Sequence, residues 1–203
     1  MQPFNKLTSA AILFYRENID TDVIIPARHL KTISRLGLGK WCFETLRYDE
    51  SGQVRNSSPF DHGASQTANI LITGANFGCG SSREHAVWAL MDMGVRCIIG
   101  PSFADIFSSN ALKNGMLLIT LPQEVVQKLA AEVKSGTAVS VNLADQWITT
   151  PSAQISFDID DFRKTSLLNG TDEIGLTLRD EDKITAFEQR DKLQRPWLWQ
   201  ENI

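Results

Sequence analysis

The sequence predicts an α/β domain with two kinds of sheet and a helical arm at its C-terminal end, on three observations. Residues 70–99 read as strand, glycine-rich turn, helix and strand, a unit whose handed crossover lays both strands parallel in one sheet. Short strands separated by turn signals follow at 138–141, 147–149 and 154–157 and suggest a small antiparallel layer. From Thr171 onward the chain is helical in pattern and highly charged around RDEDKITAFEQRDK.

In chain order, residues 10–15 (AAILFY) read as a strand. Asn18 to Pro26 reads as a turn and a short buried strand, Val23-Ile24-Ile25, stopped by Pro26. Residues 28–40 are basic and interrupted by Gly37 and Gly39, which predicts a mobile loop with one helical turn. A short helix is expected around Trp41–Arg47, and a long loop over 49–67, where Ser, Gly, Asp, Asn and Pro gather. Residues 70–73 form the first strand of the central unit, and Ser82 to Met93 shows helical apolar spacing at Ala86, Ala89, Leu90 and Met93. Gly94 closes that helix, and 95–99 is the next strand. A second turn, Gly100-Pro101-Ser102, opens a helix to about Leu112, in which Asn110 and Lys113 read as structural. A third strand follows at 116–119. A helix from Pro122 to about Lys134 precedes the antiparallel layer, and Asp160 to Asn169 is a helix closed by Gly170. Residues 1–170 are expected to form one domain, with 171–203 as its helical extension. Trp197 and Trp199 in that extension would cover either this domain's core or a partner's surface.

Composition narrows the function. With 203 residues and 42% apolar content there is enough chain for a real core. The formal net charge of −4, without a stripe of Lys and Arg alternating with aromatics, argues against nucleic acid. No apolar run approaches the roughly 18 residues of a membrane helix, and MQPFNKLTSAAILFYRENID lacks the pattern of a signal peptide. A cytoplasmic protein is expected. The cysteines, Cys42, Cys79 and Cys97, are odd in number and widely spaced, which suits a reducing compartment and offers no zinc or ferredoxin spacing. Asp20 and Asp22 fit turn capping better than metal binding, since no further ligands accompany them.

The chemistry concentrates in Ala75-Asn76-Phe77-Gly78-Cys79-Gly80-Ser81-Ser82-Arg83-Glu84-His85. A turn between a strand's C-terminal end and a helix's N-terminal end has unpaired N–H groups and favours negative charge. Gly78 and Gly80 permit close approach of a ligand to the backbone, and Arg83 can fork onto a carboxylate. Ser81-Ser82-Arg83-Glu84 equally matches a capping box, with Ser81 capping and Glu84 reaching back. Anion site and structural cap both stand on the residues alone. A dinucleotide fingerprint fails because Arg83 occupies its third glycine position. The Lys of a phosphate loop and the G-x-S-x-G of a hydrolase elbow are absent. A Cys79–His85 nucleophile pair lacks a spacing that sets its geometry and an evident orienting third group.

Asn76 to His85, with Pro101-Ser102-Phe103-Ala104-Asp105-Ile106-Phe107 downstream and Asn18-Ile19-Asp20-Thr21-Asp22-Val23-Ile24-Ile25-Pro26 upstream, resembles the small-subunit family of 3-isopropylmalate dehydratases in the aconitase superfamily. Ile174-Gly175-Leu176-Thr177-Leu178 resembles the family's bacterial long form. The resemblance runs from about residue 10 to 190. It implies a three-layer β/β/α swivelling domain and a heterodimer or larger assembly with a large subunit that holds a [4Fe–4S] cluster on its own cysteines. No cofactor is expected on this chain. It implies a hydro-lyase of leucine biosynthesis that converts 2-isopropylmalate through an alkene, with the cluster's iron as Lewis acid on the departing hydroxyl. By the same resemblance Ser81 is the catalytic base and Ser82 and Arg83 contact substrate carboxylate. The loop after Pro26 closes over substrate, with Leu30 toward the side group and Arg28, Lys31 or Arg35 toward a carboxylate. Some relatives carry Tyr-Leu-Arg followed by Leu or Thr in this loop, where this chain has His29, Lys31 and Thr32. A hydro-lyase for 2-methylmalate or another alkylmalate therefore stays open beside the isopropylmalate enzyme. An anion-binding module without chemistry stays open as a different class.

Overall fold

Two strands separated by one residue enter different sheets. β1 (Lys6–Ser9) and β2 (Ala11–Phe14) flank Ala10. β2 begins a parallel sheet of order β2-β3-β4-β5, completed by β3 (Ile70–Thr73), β4 (Cys97–Gly100) and β5 (Leu117–Thr120). β1 pairs antiparallel with β6 (Val139–Asn142), followed by β7 (Trp147–Thr149) and β8 (Gln154–Ser156). The computed structural model describes residues 1–133 and 137–199, in two compact units that divide between Gly170 and Thr171. The predicted helix end at Lys134 and the arm's end at 200–203 lie outside the described residues.

The three layers follow from period-two burial along the parallel strands. Leu71 and Ile98 face one core cluster, which they share with Ala86, Val87 and Leu90 of α3 (Glu84–Asp92) and Phe107 and Ala111 of α4 (Asp105–Asn114). Ile70, Ile72, Cys97 and Ile99 face the other, together with Val139, Val141 and Ile148 of the antiparallel sheet and Val126 and Leu129 of α5 (Gln123–Val133). A strand covered on both sides is buried at every position, as Ile70, Leu71, Ile72 and Thr73 of β3 are. The architecture is the three-layer β/β/α arrangement expected. Gly170 closes α6 (Asp161–Asn169) in the left-handed region at φ 64°.

Several local expectations change. Val23-Ile24-Ile25 does not form a strand. Residues Thr21–Ile24 are one helical turn, α1, because the Asp20 carboxylate accepts from the Asp22 amide at 2.6 Å and caps it. The helix expected at 41–47 shrinks to α2 (Glu44–Arg47), entered through Phe43 at φ 52°. The loop before it carries two 3₁₀ turns, Ala27–His29 and Gly39–Trp41. β1 was not anticipated, since KLTS is short and half exposed, and pairing with β6 is what makes it a strand.

The second unit holds α7 (Glu173–Thr177) and α8 (Glu181–Gln194). Asp172 caps α7 through the Gly175 amide at 2.8 Å. At the other end Asp191 accepts from Arg195 Nε at 2.6 Å and from the Trp199 indole at 2.9 Å, so Trp199 closes on its own arm. Trp197 is 65% exposed.

Candidate active site

Three segments far apart in sequence meet beyond the C-terminal ends of β2, β3 and β4, the edge at which open parallel sheets present ligand sites. The turn after β3 is laced to both neighbours. Gly78 and Cys79 amides donate to the Ile19 carbonyl at 2.8 and 3.2 Å, and Thr21 donates its amide to Cys79 O at 2.9 Å. On the other side Phe77 donates to Ser102 O at 3.3 Å, and Ala104 to Phe77 O at 3.0 Å. Asn76 reaches both ways, its amide to Ser102 Oγ at 2.9 Å and its side chain to Asn18 Oδ1 at 2.8 Å.

The glycines are required where they stand. Gly78 has φ 79°, and a Cβ there would lie 2.6 Å from Cβ and Cδ2 of the buried Phe107. Gly80 has φ 87°, and a Cβ would overlap the Asp20 carboxylate, 2.6 Å from its Cγ. Two turns of left-handed backbone thereby let α1 and α4 close on the loop from either side.

The capping box does not form. α3 begins at Glu84, with Arg83 in the cap position and no side chain satisfying it. Glu84 turns inward instead, accepting from Asn114 Nδ2 at 2.7 Å and from the Trp88 indole at 3.3 Å. A buried pair of donors is a stronger demand on that carboxylate than a solvated cap. Ser81 and Ser82 are exposed. The Ser81 carbonyl is held by Thr21 Oγ1 at 3.0 Å, and its hydroxyl makes no hydrogen bond among the described residues. The amides of Gly80 through His85 likewise find no acceptor among the described residues. Beside them the Arg83 guanidinium pairs with Asp22, the side chains being 17% and 50% exposed.

The loop residues separate. Arg28 pairs with Glu44, and the same Glu44 oxygen lies 2.8 Å from His29 Nε2, while the His29 ring stacks on Trp41 with centroids 4.4 Å apart. Leu30 is half-buried and packs on the helix-side core, so its side chain faces the protein's own interior. Lys31 is exposed and makes no ion pair among the described residues. Arg35 lies over the Trp88 ring, 5.2 Å from its centroid. Ser81, Ser82 and Arg83 are thus together on the turn, and Arg35 reaches the helix which that turn opens. Arg28 lines a separate cavity of about 490 Å³ with Lys40, Trp41, Glu44, Tyr48 and Arg55.

The cysteines stand in separate surroundings. Cys42 and Cys97 are buried in different core clusters, and burial pushes both thiols far up. Desolvation and the negative charge of Asp20 raise the Cys79 thiol, which is the wrong direction for a nucleophile. His85 is engaged by the Thr32 carbonyl at 2.9 Å rather than by Cys79. Among the described residues no three His, Cys, Asp or Glu side chains converge as metal ligands, so the chain's own residues do not fit an iron–sulfur cluster. No helix among them is long and apolar enough to cross a membrane.

Sequence reasoning missed Asp22 as the partner of Arg83, and Glu44 as the anchor of Arg28 and His29. Asp22 was visible as half of an acidic pair, but its partner is 61 positions away. Glu44 carried no local signal at all.

Comparison with known proteins gives a consistent set of likenesses. Residues 1–124 match a model described as the aconitase C-terminal domain. Residues 173–199 match the C-terminal domain of the 3-isopropylmalate dehydratase small subunit, and 127–161 match one described as LeuD_N. A 3-isopropylmalate dehydratase small subunit of Paramagnetospirillum magneticum is 53% identical over 98% of this chain and 100% of its own length. One from Rhodospirillum centenum is 50% identical over 97% of this chain and 98% of its own. A 3-isopropylmalate dehydratase of Rhizopus niveus is 48% identical over 98% of this chain, which spans only 27% of that longer protein. The crystal structure of a 3-isopropylmalate dehydratase from Methanocaldococcus jannaschii superposes with a TM-score of 0.65 at 26% identity, covering 90% of this chain and 99% of that one.

Proposed function

The chain belongs to the 3-isopropylmalate dehydratase small-subunit family, and from that premise we propose how its residues serve a two-chain hydro-lyase. The reaction is removal of water from 2-isopropylmalate and its return at the neighbouring carbon. In the first half a C–H bond beside a carboxylate and a C–O bond break, a C=C bond forms, and the hydroxyl leaves with the C–O electron pair, taking a second proton from a group outside this chain to become water. Ser81 takes the proton. Ser82, Arg83 and the open amides bind the carboxylate next to that carbon.

One observation carries this reading: a free serine hydroxyl stands among six successive unpaired amides, from Gly80 to His85, at the start of a nine-residue helix. A hydroxyl is a feeble base in water, but donors and positive charge stabilise its deprotonated form. The same donors stabilise charge that builds on the carboxylate as the proton leaves. Asp22 adds a condition. A substrate carboxylate must displace it from Arg83 or share the guanidinium with it, and the half-exposed Asp22 is free to swing out.

The departing hydroxyl is left to groups that this chain does not contain. We assign them to a large partner protein with a [4Fe–4S] cluster, the large subunit of a heterodimer or larger assembly. The Rhizopus relative supports this assignment, because there the matching segment is 27% of one longer chain. Residues 171–203 are read as an extension of the same small subunit, and a cytoplasmic role in leucine biosynthesis accompanies the assignment. Lys31 and Arg35 are kept as loop contacts to substrate, Arg28 as one that must first leave Glu44, and Leu30 as a wall behind them.

Ser81→Ala tests the base. The chain is mixed anaerobically with its cluster-loaded large subunit, and alkene absorbance is followed with 2-isopropylmalate and with 2-methylmalate. Turnover should fall by at least about 100-fold, the usual scale for a proton-transfer group. Assembly should persist, and stability should stay within about 0.5 kcal/mol because the hydroxyl makes no internal bond. Intact turnover in Ser81→Ala removes the base assignment. Faster turnover of methylmalate by the unaltered pair keeps the mechanism and changes the substrate.

A further inference from the structure

His85, Trp88 and Asp92 stand at i, i+3 and i+7 on α3, which places them on one face over about 10 Å of helix. Each holds one point of the preceding loop, in the same order and at the same spacing. His85 Nε2 is 2.9 Å from Thr32 O; a carbonyl only accepts, so this nitrogen carries the proton. Arg35 lies over Trp88. Asp92 Oδ2 accepts from the Gly39 amide at 2.6 Å.

The two ends of this track differ in kind. Gly39 is locked, since any Cβ would lie 2.6 Å from the backbone of Asp92 and Met93, and Arg47 donates to its carbonyl at 2.8 Å. Trp88 is a rigid platform: its indole donates to Asn114 Oδ1 at 3.1 Å, and Asn114 is itself only 7% exposed. The loop between these points is light. Ile33 and Leu36 are 97% and 80% exposed, and Gly37 sits at φ 84° with open space around it.

We propose that His85 and Trp88 are positioning residues that seat the 31–36 loop along the helix opened by the catalytic turn, with Gly37 as pivot and Gly39–Asp92 as fixed anchor. The loop's contacts to substrate and proton removal are thereby referred to one rigid element, α3. The inference rests on the loop belonging to the substrate site.

The test uses the full chain and the His85→Phe and His85→Gln variants. Phenylalanine keeps a ring beside Trp88 but loses the donor; glutamine restores a donor. Tryptic cleavage after Lys31 and Arg35 is timed by mass spectrometry against cleavage after Lys183 in the same digest. His85→Phe should be cut about three- to tenfold faster in the loop, the scale of one lost hydrogen bond, and His85→Gln should return toward the unaltered rate. Arg35→Gln, at an exposed residue, should also speed cleavage after Lys31. With the large subunit, His85→Phe should raise KM by a similar factor and leave kcat within about twofold, the mark of lost ground-state positioning. Unchanged loop cleavage in both His85→Phe and Arg35→Gln overturns the track. Faster cleavage with unchanged KM and kcat overturns instead the reading that the loop serves the site.

Discussion

Replacing Gly78 with alanine puts a methyl group against Phe107. The added Cβ would be 2.6 Å from two of its carbons and closer still to Cγ, at a backbone φ of 79°. Holding a non-glycine residue in left-handed backbone costs about 1–2 kcal/mol. The overlap adds about 1–3 kcal/mol, as overpacking of a filled core does. Phe107 cannot swing clear, because it is 2% exposed and meets Phe77 edge-on at 5.3 Å. The expected loss is about 2–5 kcal/mol, or a fall in Tm of about 5–20 °C for a chain of this size. Urea denaturation of the isolated chain would read it as a lower midpoint at unchanged slope. A second substitution separates the two contributions. Phe107→Leu makes room, so the double variant should recover about 1–3 kcal/mol relative to additivity, while the backbone cost stays. A Gly78→Ala protein within about 0.5 kcal/mol of the original refutes the close-packed turn.

Asp61→Asn should lower stability by about 2–3 kcal/mol at pH 7, because a partly buried carboxylate then leaves Arg47 without its partner. Burial raises the Asp61 carboxyl, but hydrogen bonds from Arg47 and Ser58 outweigh it and hold it below the usual range. Its stabilisation is therefore complete above the ordinary carboxylate pKa of about 3.9 and fades as pH falls below it. Urea midpoints of the two proteins should converge toward pH 3; a constant gap contradicts the pair. Iodoacetamide should label Cys79 more slowly than a free thiol at pH 8 and accelerate above pH 9, since its thiol is raised, and Cys42 and Cys97 should label only on unfolding. Mass-resolved labelling at two pH values decides this, and rapid alkylation of Cys79 at pH 8 refutes it.

Sequence periodicity placed most regular elements within a few residues, because those elements are local. ILIT at 70–73 is a strand from its apolar run, and Gly94, Gly115 and Gly170 sit at positive φ where helices stop. The backbone of the 76–85 turn was legible too, since Gly78 and Gly80 mark left-handed positions between a strand and a helix. The capping box was a false lead from the same local logic. Ser81 and Glu84 have the right spacing, but Asn114, 30 positions away, offers Glu84 a buried amide.

By itself the sequence determined the layer class, the place of the glycine-rich turn between strand and helix, and the family. Tertiary structure alone decided which distant residues touch: Asp22 with Arg83, Glu44 with Arg28, His85 with Thr32. It also turned Val23–Ile25 from strand to helical turn and drew β1 into a sheet with β6. The physical reason is common to these cases. Backbone preference and capping act over a few residues, whereas a carboxylate or carbonyl in a folded chain is satisfied by whichever donor the packing brings within about 3 Å, and no local pattern in the chain encodes that partner.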